Sequence, residues 1–286
     1  MNVQDLLSYG KARLLEAGIE NGANEAEYFL CHLLQVNRTW IFLHSDAAVS
    51  AENESQYRMW ISKRCTHYPM QYILGEQPFM EFCFYVNEHV LIPRQDTEIL
   101  VEQAMKRLKP HMHILDLCCG SGCIGLSLAK LSGACVTLAD ISEKAIEVAG
   151  KNAERLGLTV EDGENEKNSV RFVVSDIFER IEGQYDMIVS NPPYIRSDVI
   201  PTLMEEVRDF EPALALDGGG DGLDFYRRIV KEAGSYLNED GYICFEIGYD
   251  QGNDLRQILV AARYGDIEIV KDLAGLDRVV LARKLP

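Results

Sequence analysis

The chain has 286 residues, 47% of them hydrophobic, and a formal net charge of -17. That length accommodates one well-buried domain plus a smaller one, because single cores stop growing at about 250 residues. The acidic balance counts against a phosphate backbone as main partner, since such affinity comes from neutralising phosphates and releasing counterions, so no direct nucleic-acid binding is expected.

No stretch approaches the roughly 18 uninterrupted apolar residues of a membrane span, and residues 1–10 lack a cationic segment followed by an apolar run. A soluble, cytoplasmic protein without membrane contact is expected. The eight cysteines, Cys31, Cys65, Cys83, Cys118, Cys119, Cys123, Cys135 and Cys244, are scattered, several inside apolar runs. Reduced structural thiols fit that spacing. Cys119 and Cys123 stand four apart beside Cys118, but no His lies at finger spacing, and no metal site is expected.

In chain order, a first helix near 5–17 ends at Gly18. A second, over 24–35, carries Ala26, Phe29, Leu30, Leu33 and Leu34 at helical spacing, with Asn24 and Glu27 fitting a cap and its reciprocal acidic partner. A third starts after Ser50, carries Tyr57, Trp60 and Ile61, and breaks at Pro69. Residues 1–76 therefore read as a small helical domain.

From 79 to 86 aromatic and β-branched residues take over, the pattern of a strand or hairpin, and Pro93 then punctuates the chain. Residues 77–95 are the expected connector. Across 96–286, strands at 113–117, 135–139, 170–174, 185–190 and 242–247 alternate with helices to Leu131, over 142–156 and over 223–237. Such alternation gives a doubly wound, Rossmann-like α/β sheet with helices on both faces. The last two strands, 267–270 and 278–282, follow one another through Ala274-Gly275-Leu276-Asp277 without a helix. They should form an antiparallel hairpin at one edge, which separates a methyltransferase-type sheet from an ordinary dinucleotide fold. The polar, mostly acidic run 161–168 reads as a solvated surface loop.

Asp116-Leu117-Cys118-Cys119-Gly120-Ser121-Gly122-Cys123-Ile124-Gly125 sits where an apolar strand ends and a helix begins. Its glycines permit a tight turn and close approach of a ligand to free N–H groups at the helix start, although the spacing alone also fits a plain strand-to-helix turn. Asp140 ends the second strand about 20 residues on, where a carboxylate accepts from ribose hydroxyls; as a good cap residue it also fits the helix beginning near Ser142. Asp176-Ile177 ends the third strand, placed for an adenine amino group and ring face, or for a simple turn. Three strand ends bearing a Gly loop and two acids point to an adenosyl ligand at the carboxyl edge of the sheet.

Asn191-Pro192-Pro193-Tyr194 follows the fourth strand immediately. The two prolines fix the backbone and remove two donors, leaving carbonyl oxygens free to accept; the Asn carboxamide adds an acceptor and the Tyr ring a flat apolar wall. A planar amide or aromatic amine nitrogen attacks poorly because its lone pair is delocalised. Accepting both of its N–H bonds in a geometry that favours pyramidalisation restores the lone pair and aims it at a methyl sulfonium. The plain alternative is a Pro-rich turn opened by Asn.

With these motifs in order, the sequence resembles the release-factor glutamine methyltransferases, the PrmC/HemK family. The resemblance spans essentially the whole chain: Pro69-Met70-Gln71-Tyr72-Ile73-Leu74-Gly75, Val90-Leu91-Ile92-Pro93-Arg94 with Thr97-Glu98, the Gly loop, the tetrad with Ile195, Glu211-Pro212 with Ala213 and Leu214, Gly219 to Leu223, and Glu246-Ile247-Gly248. It implies a class I S-adenosylmethionine-dependent methyltransferase fold with a helical N-terminal domain that docks the substrate. The implied reaction is N5-methylation of the glutamine in the Gly-Gly-Gln motif of class I peptide-chain release factors, leaving S-adenosylhomocysteine.

On this resemblance Asn191 and Pro192 bind the glutamine amide and, with Tyr194, form the catalytic set, while Pro193 and Tyr194 complete the substrate site. Cys118, Cys119, Gly120, Ser121 and Gly122 wrap the methionine part of the cofactor, Asp140 holds ribose, Asp176 and Ile177 border adenine, and Asn191 also faces the cofactor. Arg94 and Thr97 close the pocket from the connector, or else serve as a loop salt bridge and a helix cap. Two departures stand out. Cys118 occupies a position where the family usually has Gly, so a left-handed backbone there would be strained. Gln95-Asp96 replaces the more usual Pro-Glu.

Other readings share parts of this pattern. Methylation of a ribosomal-protein glutamine would keep the fold, cofactor and tetrad. Adenine-N6 DNA methylation would require a flipped base and basic contacts. A noncatalytic adenosyl-ligand sensor would have no need of Asn191.

Overall fold

The structure, a computed structural model, describes residues 1–109, 111–160 and 169–285; the acidic run 161–168 lies outside the described residues. The chain divides into two compact units, Met1–Leu74 with Met204–Phe210, and Gly75–Leu203 with the chain from Glu211 onward.

The first unit contains α1 (Val3–Glu16), α2 (Gly22–Leu34), α3 (Arg38–Leu43), α4 (Ala51–Arg64) and α5 (Met70–Leu74). Three starts carry side-chain caps: Asn2 accepts from the Asp5 N–H at 2.7 Å, Asn37 from Trp40 at 2.9 Å and Ser50 from Asn53 at 3.1 Å. Leu6, Leu14, Phe29, Leu30 and Ile61 fill the core, and Tyr57, fully buried, donates its hydroxyl to the Ala26 carbonyl at 2.9 Å.

The expected cap at Asn24 is not used. α2 begins two residues earlier at Gly22, Asn24 donates to the Asn21 carboxamide at 2.6 Å, and Glu27 pairs with Arg38 instead of reaching back. Packing decides the start: a Cβ on Gly22 would lie 2.7 Å from the Leu14 Cβ, so α1 and α2 meet through a glycine.

The second unit opens with an antiparallel hairpin, β1 (Glu76–Phe79) and β2 (Phe82–Tyr85), and then α6 (Glu98–Met105). The main sheet follows: β3 (His113–Leu117), α7 (Cys123–Ser132), β4 (Cys135–Asp140), α8 (Glu143–Leu156), β5 (Thr159–Val160), β6 (Ser169–Val174) and β7 (Tyr185–Ser190). After β7 comes α9 (Glu205–Arg208), a single turn belonging to the first unit, where the buried Arg64 guanidinium bridges Glu25 and Glu206, each at 2.6 Å. The second unit resumes with α10 (Asp224–Ala233), β8 (Leu237–Glu246), α11 (Gly252–Ala261), β9 (Tyr264–Lys271) and β10 (Asp277–Lys284).

The eight strands run in the order β5-β6-β4-β3-β7-β8-β10-β9, parallel from β5 to β8, with β10 antiparallel to both of its neighbours. The expected terminal hairpin is present, with β9 on the edge. Strand order reverses between β3 and β7, and such a switch point opens a crevice beyond the carboxyl ends of the strands. Two apolar clusters cover the two faces, one centred on Leu126, Leu128, Leu138 and Val189, the other on Ile188, Tyr226, Phe245 and Leu255.

Candidate active site

At that crevice lies a cavity of about 290 Å3, walled by the ends of four parallel strands and the loops that follow them. β3 delivers Cys118, Cys119, Gly120 and Ser121; β4 delivers Asp140; β6 leads to Asp176 and Ile177; β7 leads to Asn191 and Pro193. Three further expected site residues lie off its walls. Gly122 caps α7 with φ 79°, Pro192 is buried in the turn, and Tyr194 points its hydroxyl at Glu246, donating at 3.1 Å.

The loop after β3 owes its shape to two carboxyls. Asp116, fully buried in β3, accepts from the Gly125 N–H at 2.8 Å. A Cβ on Gly125 would sit 2.8 Å from that same oxygen, so the glycine lets α7 close onto the strand. The other Asp116 oxygen, Oδ1, is buried without a partner among the described residues, and burial pushes the carboxyl up to about 8. Asp140 accepts from Gly120 N–H through Oδ2 and from Ser142 N–H through Oδ1, both at 2.9 Å. Burial raises its pKa against these backbone donors. Ser142 is itself the N-cap of α8, so Asp140 shapes the loop and steadies the helix start together.

Asp176 is also engaged: Arg228 on α10 donates to its Oδ2 at 2.9 Å, and Arg228, Phe225 and Ile177 all line the cavity. Arg94 lines the cavity and pairs with the buried Glu211 at 2.5 Å, while the other Glu211 oxygen accepts from the Ile92 N–H at 3.2 Å. The salt-bridge alternative for Arg94 is thus realised on the cavity wall. Thr97, also on the wall, does not cap α6, and its buried hydroxyl has no hydrogen-bond partner among the described residues. Burial raises the Glu246 pKa, and the Tyr194 hydroxyl and the Arg278 charge oppose that shift.

Among the described residues nothing is hydrogen-bonded to the Asn191 carboxamide, which lies on the cavity wall. Cys118, Cys119 and Cys123 also line the cavity, and burial holds all three as protonated thiols. All eight cysteines are free.

Residues 5–75 match the family described as the PrmC N-terminal domain, and residues 94–209 the methyltransferase small domain. A release factor glutamine methyltransferase from Fusobacterium nucleatum is 39% identical over 98% of this chain and 78% of its own length. One from Clostridium acetobutylicum is 40% identical over 99% of this chain and 98% of its own. The chain belongs to the release factor glutamine methyltransferase family. Its sheet also resembles that of a solved Pyrococcus furiosus methyltransferase, with a TM-score of 0.53 over 71% of this chain and 89% of the other; at 17% identity this concerns the fold alone.

Within that family membership, the departure at Cys118 acquires a physical meaning. The residue sits at φ 58°, the left-handed region where glycine is at ease, so this member carries the strain anticipated for a cysteine at that position. Sequence reasoning assigned no role to Glu211 or Glu246, though both stood in recognised motifs. It passed over Asn152, Phe225 and Gln251, and gave Arg228 no part in the site. Asn152 on α8 is buried; its Oδ1 accepts from the Tyr85 N–H at 2.6 Å and its Nδ2 donates to the carbonyls of Tyr85 and Ser121 at 3.0 and 2.9 Å. One amide thereby ties the hairpin to the loop after β3. Among the described residues no helix is long and apolar enough to cross a membrane.

Proposed function

We propose that this protein N5-methylates the glutamine amide of the Gly-Gly-Gln motif in class I release factors, with S-adenosylmethionine as methyl donor. The observation that carries this reading is the unengaged Asn191 carboxamide on the same cavity wall as Asp140, Asp176 and Ile177. Family membership supports the release factor as substrate.

The cavity suits the donor chemically. Asp140 keeps lone pairs for ribose hydroxyls, Ile177 and Phe225 offer apolar faces to a purine, and a Cβ on Gly120 would meet nothing within 4 Å, so this glycine leaves cavity space open. Cys118 to Ser121 would hold the methionine part. Bound there, S-adenosylmethionine supplies an electrophilic methyl group.

The chain's own contribution is to orient the nucleophile. Asn191 Oδ1 and the Pro192 carbonyl accept the two N–H bonds of the substrate amide, localising the nitrogen lone pair and stabilising the positive charge that develops there. The prolines hold that carbonyl without offering a competing N–H. No base is required before transfer, because the amide nitrogen becomes acidic only as it acquires positive charge, and the methylated amide then releases its extra proton to water.

The test is incubation with labelled methyl donor and, separately, purified release factor, ribosomal proteins and DNA. Label in the release factor supports the proposal; label confined to ribosomal protein or to DNA overturns it.

A further inference from the structure

Tyr194 is the last residue of the reactive turn, and the structure holds it at both ends. Its phenol donates to Glu246, the final residue of β8, at 3.1 Å. Its backbone carbonyl accepts from Gln251 Nε2 at 3.0 Å. The same Nε2 donates to the Gly222 carbonyl at 3.1 Å, and Gln251 Oε1 accepts from the Gly248 N–H at 2.9 Å. Gln251 is only 6% exposed, so all three bonds form away from bulk water, where leaving any of them unmade is costly.

The surroundings are shaped to this amide. Gly222 has φ +76°, and a Cβ there would collide with the Tyr194 carbonyl oxygen and lie 2.7 Å from Gln251 Nε2. A Cβ on Gly218 would lie 2.7 Å from the Tyr194 Cα and 2.8 Å from the Pro193 carbonyl oxygen. The turn is thus pressed between a glycine segment and one buried side chain. Gln251 does not line the cavity, and its hydrogen bonds go to Tyr194, Gly222 and Gly248 rather than to Asn191 or Pro192.

We propose that Gln251 is a positioning residue for methyl transfer: by fixing the Tyr194 carbonyl against the Gly218–Gly222 segment, its amide sets the direction in which Asn191 and Pro192 present their acceptor oxygens. This rests on the assignment of the reactive turn made above. Gln251→Glu keeps size and the acceptor toward Gly248 but replaces the amino group that serves two carbonyls, turning attraction into lone-pair repulsion. Gln251→Met removes donor and acceptor without adding charge. Displacing a reacting group by about 1 Å costs on the order of 100-fold in rate.

The experiment measures kcat and KM for release-factor methylation, calorimetric affinity for S-adenosylmethionine, and Tm, for wild type, Gln251→Glu, Gln251→Met and Asn191→Ala. The expected result for both Gln251 variants is a fall in kcat of about 10- to 100-fold, with cofactor affinity within about twofold and a cooperative melt retained. Unchanged kcat overturns the positioning role, as does a parallel loss of cofactor affinity and folding in both variants. Asn191→Ala separates the two claims: if it stays active, the assignment of the turn fails; if it is inactive while both Gln251 variants turn over normally, only the positioning role fails.

Discussion

The backbone N–H of Gly120 donates to Asp140 Oδ2 at 2.9 Å, so the acid at the end of β4 closes the loop at the end of β3. In the proposed complex the same carboxyl accepts from ribose. Asp140→Ala would remove the ribose acceptor and strand the Gly120 and Ser142 donors together. Calorimetry should show affinity for S-adenosylmethionine weakened by about 10- to 100-fold, the equivalent of one lost charged hydrogen bond. Unaltered affinity would remove Asp140 from the cofactor site.

Asn191 has the opposite profile, because its carboxamide is assigned to the substrate amide. Asn191→Ala should lower kcat by at least about 100-fold, the scale seen when one preorganised transition-state partner is deleted. Cofactor affinity should stay within about twofold. A fully active variant would contradict the catalytic assignment.

Asp116 makes stability depend on pH. Its folded pKa, about 8, lies above the unfolded value of about 3.9. The protonated carboxyl therefore contributes stability that is complete below about pH 4 and is lost as pH rises through about 8. Asp116→Asn keeps the acceptor for the Gly125 N–H and cannot ionise. Urea unfolding without cofactor should show the variant gaining on wild type between about pH 5 and pH 8, by an amount on the order of a few kcal/mol, and levelling off above. Parallel pH profiles would show that Asp116 ionises normally.

Cys118, at φ 58°, carries a left-handed backbone that costs an L-residue about 1–2 kcal/mol. Glycine relieves it and loses about 0.5–1 kcal/mol to chain entropy. Cys118→Gly should therefore be neutral or up to about 1 kcal/mol more stable in chemical denaturation, whereas Cys118→Val should lose about 1–3 kcal/mol. Equal stability of the two variants would show that the backbone at 118 carries no such strain.

The site was legible wherever its chemistry is local in sequence. The Gly loop, Asp140, Asp176 and the tetrad all lie at or just past the ends of strands, so periodicity and turn chemistry singled them out as candidates. Asn152 and Gln251 escaped because a lone amide carries no pattern; their partners Tyr85 and Tyr194 lie 67 and 57 residues away. Only folding gives such residues their meaning. The fold class was legible for the same reason that the loop was: alternating elements and a helix-free final hairpin require no long-range information. The start of α2 was misplaced because a good cap residue, Asn24, lost to the close approach of Gly22 and Leu14. The attachment of Met204–Phe210 to the helical unit was also hidden, since it depends on Arg64 meeting Glu206 across the whole intervening sheet sequence.

In the proposed function the Asn191 turn directs methyl transfer to a glutamine amide of a release factor. Its most direct test is peptide mass mapping of a purified class I release factor after incubation with this protein and S-adenosylmethionine, alongside the same factor with the Gly-Gly-Gln glutamine replaced by glutamate. The expected result is a single methyl group on that glutamine amide and none on the glutamate form. A methyl group elsewhere in the factor, or equal methylation of both forms, would contradict it.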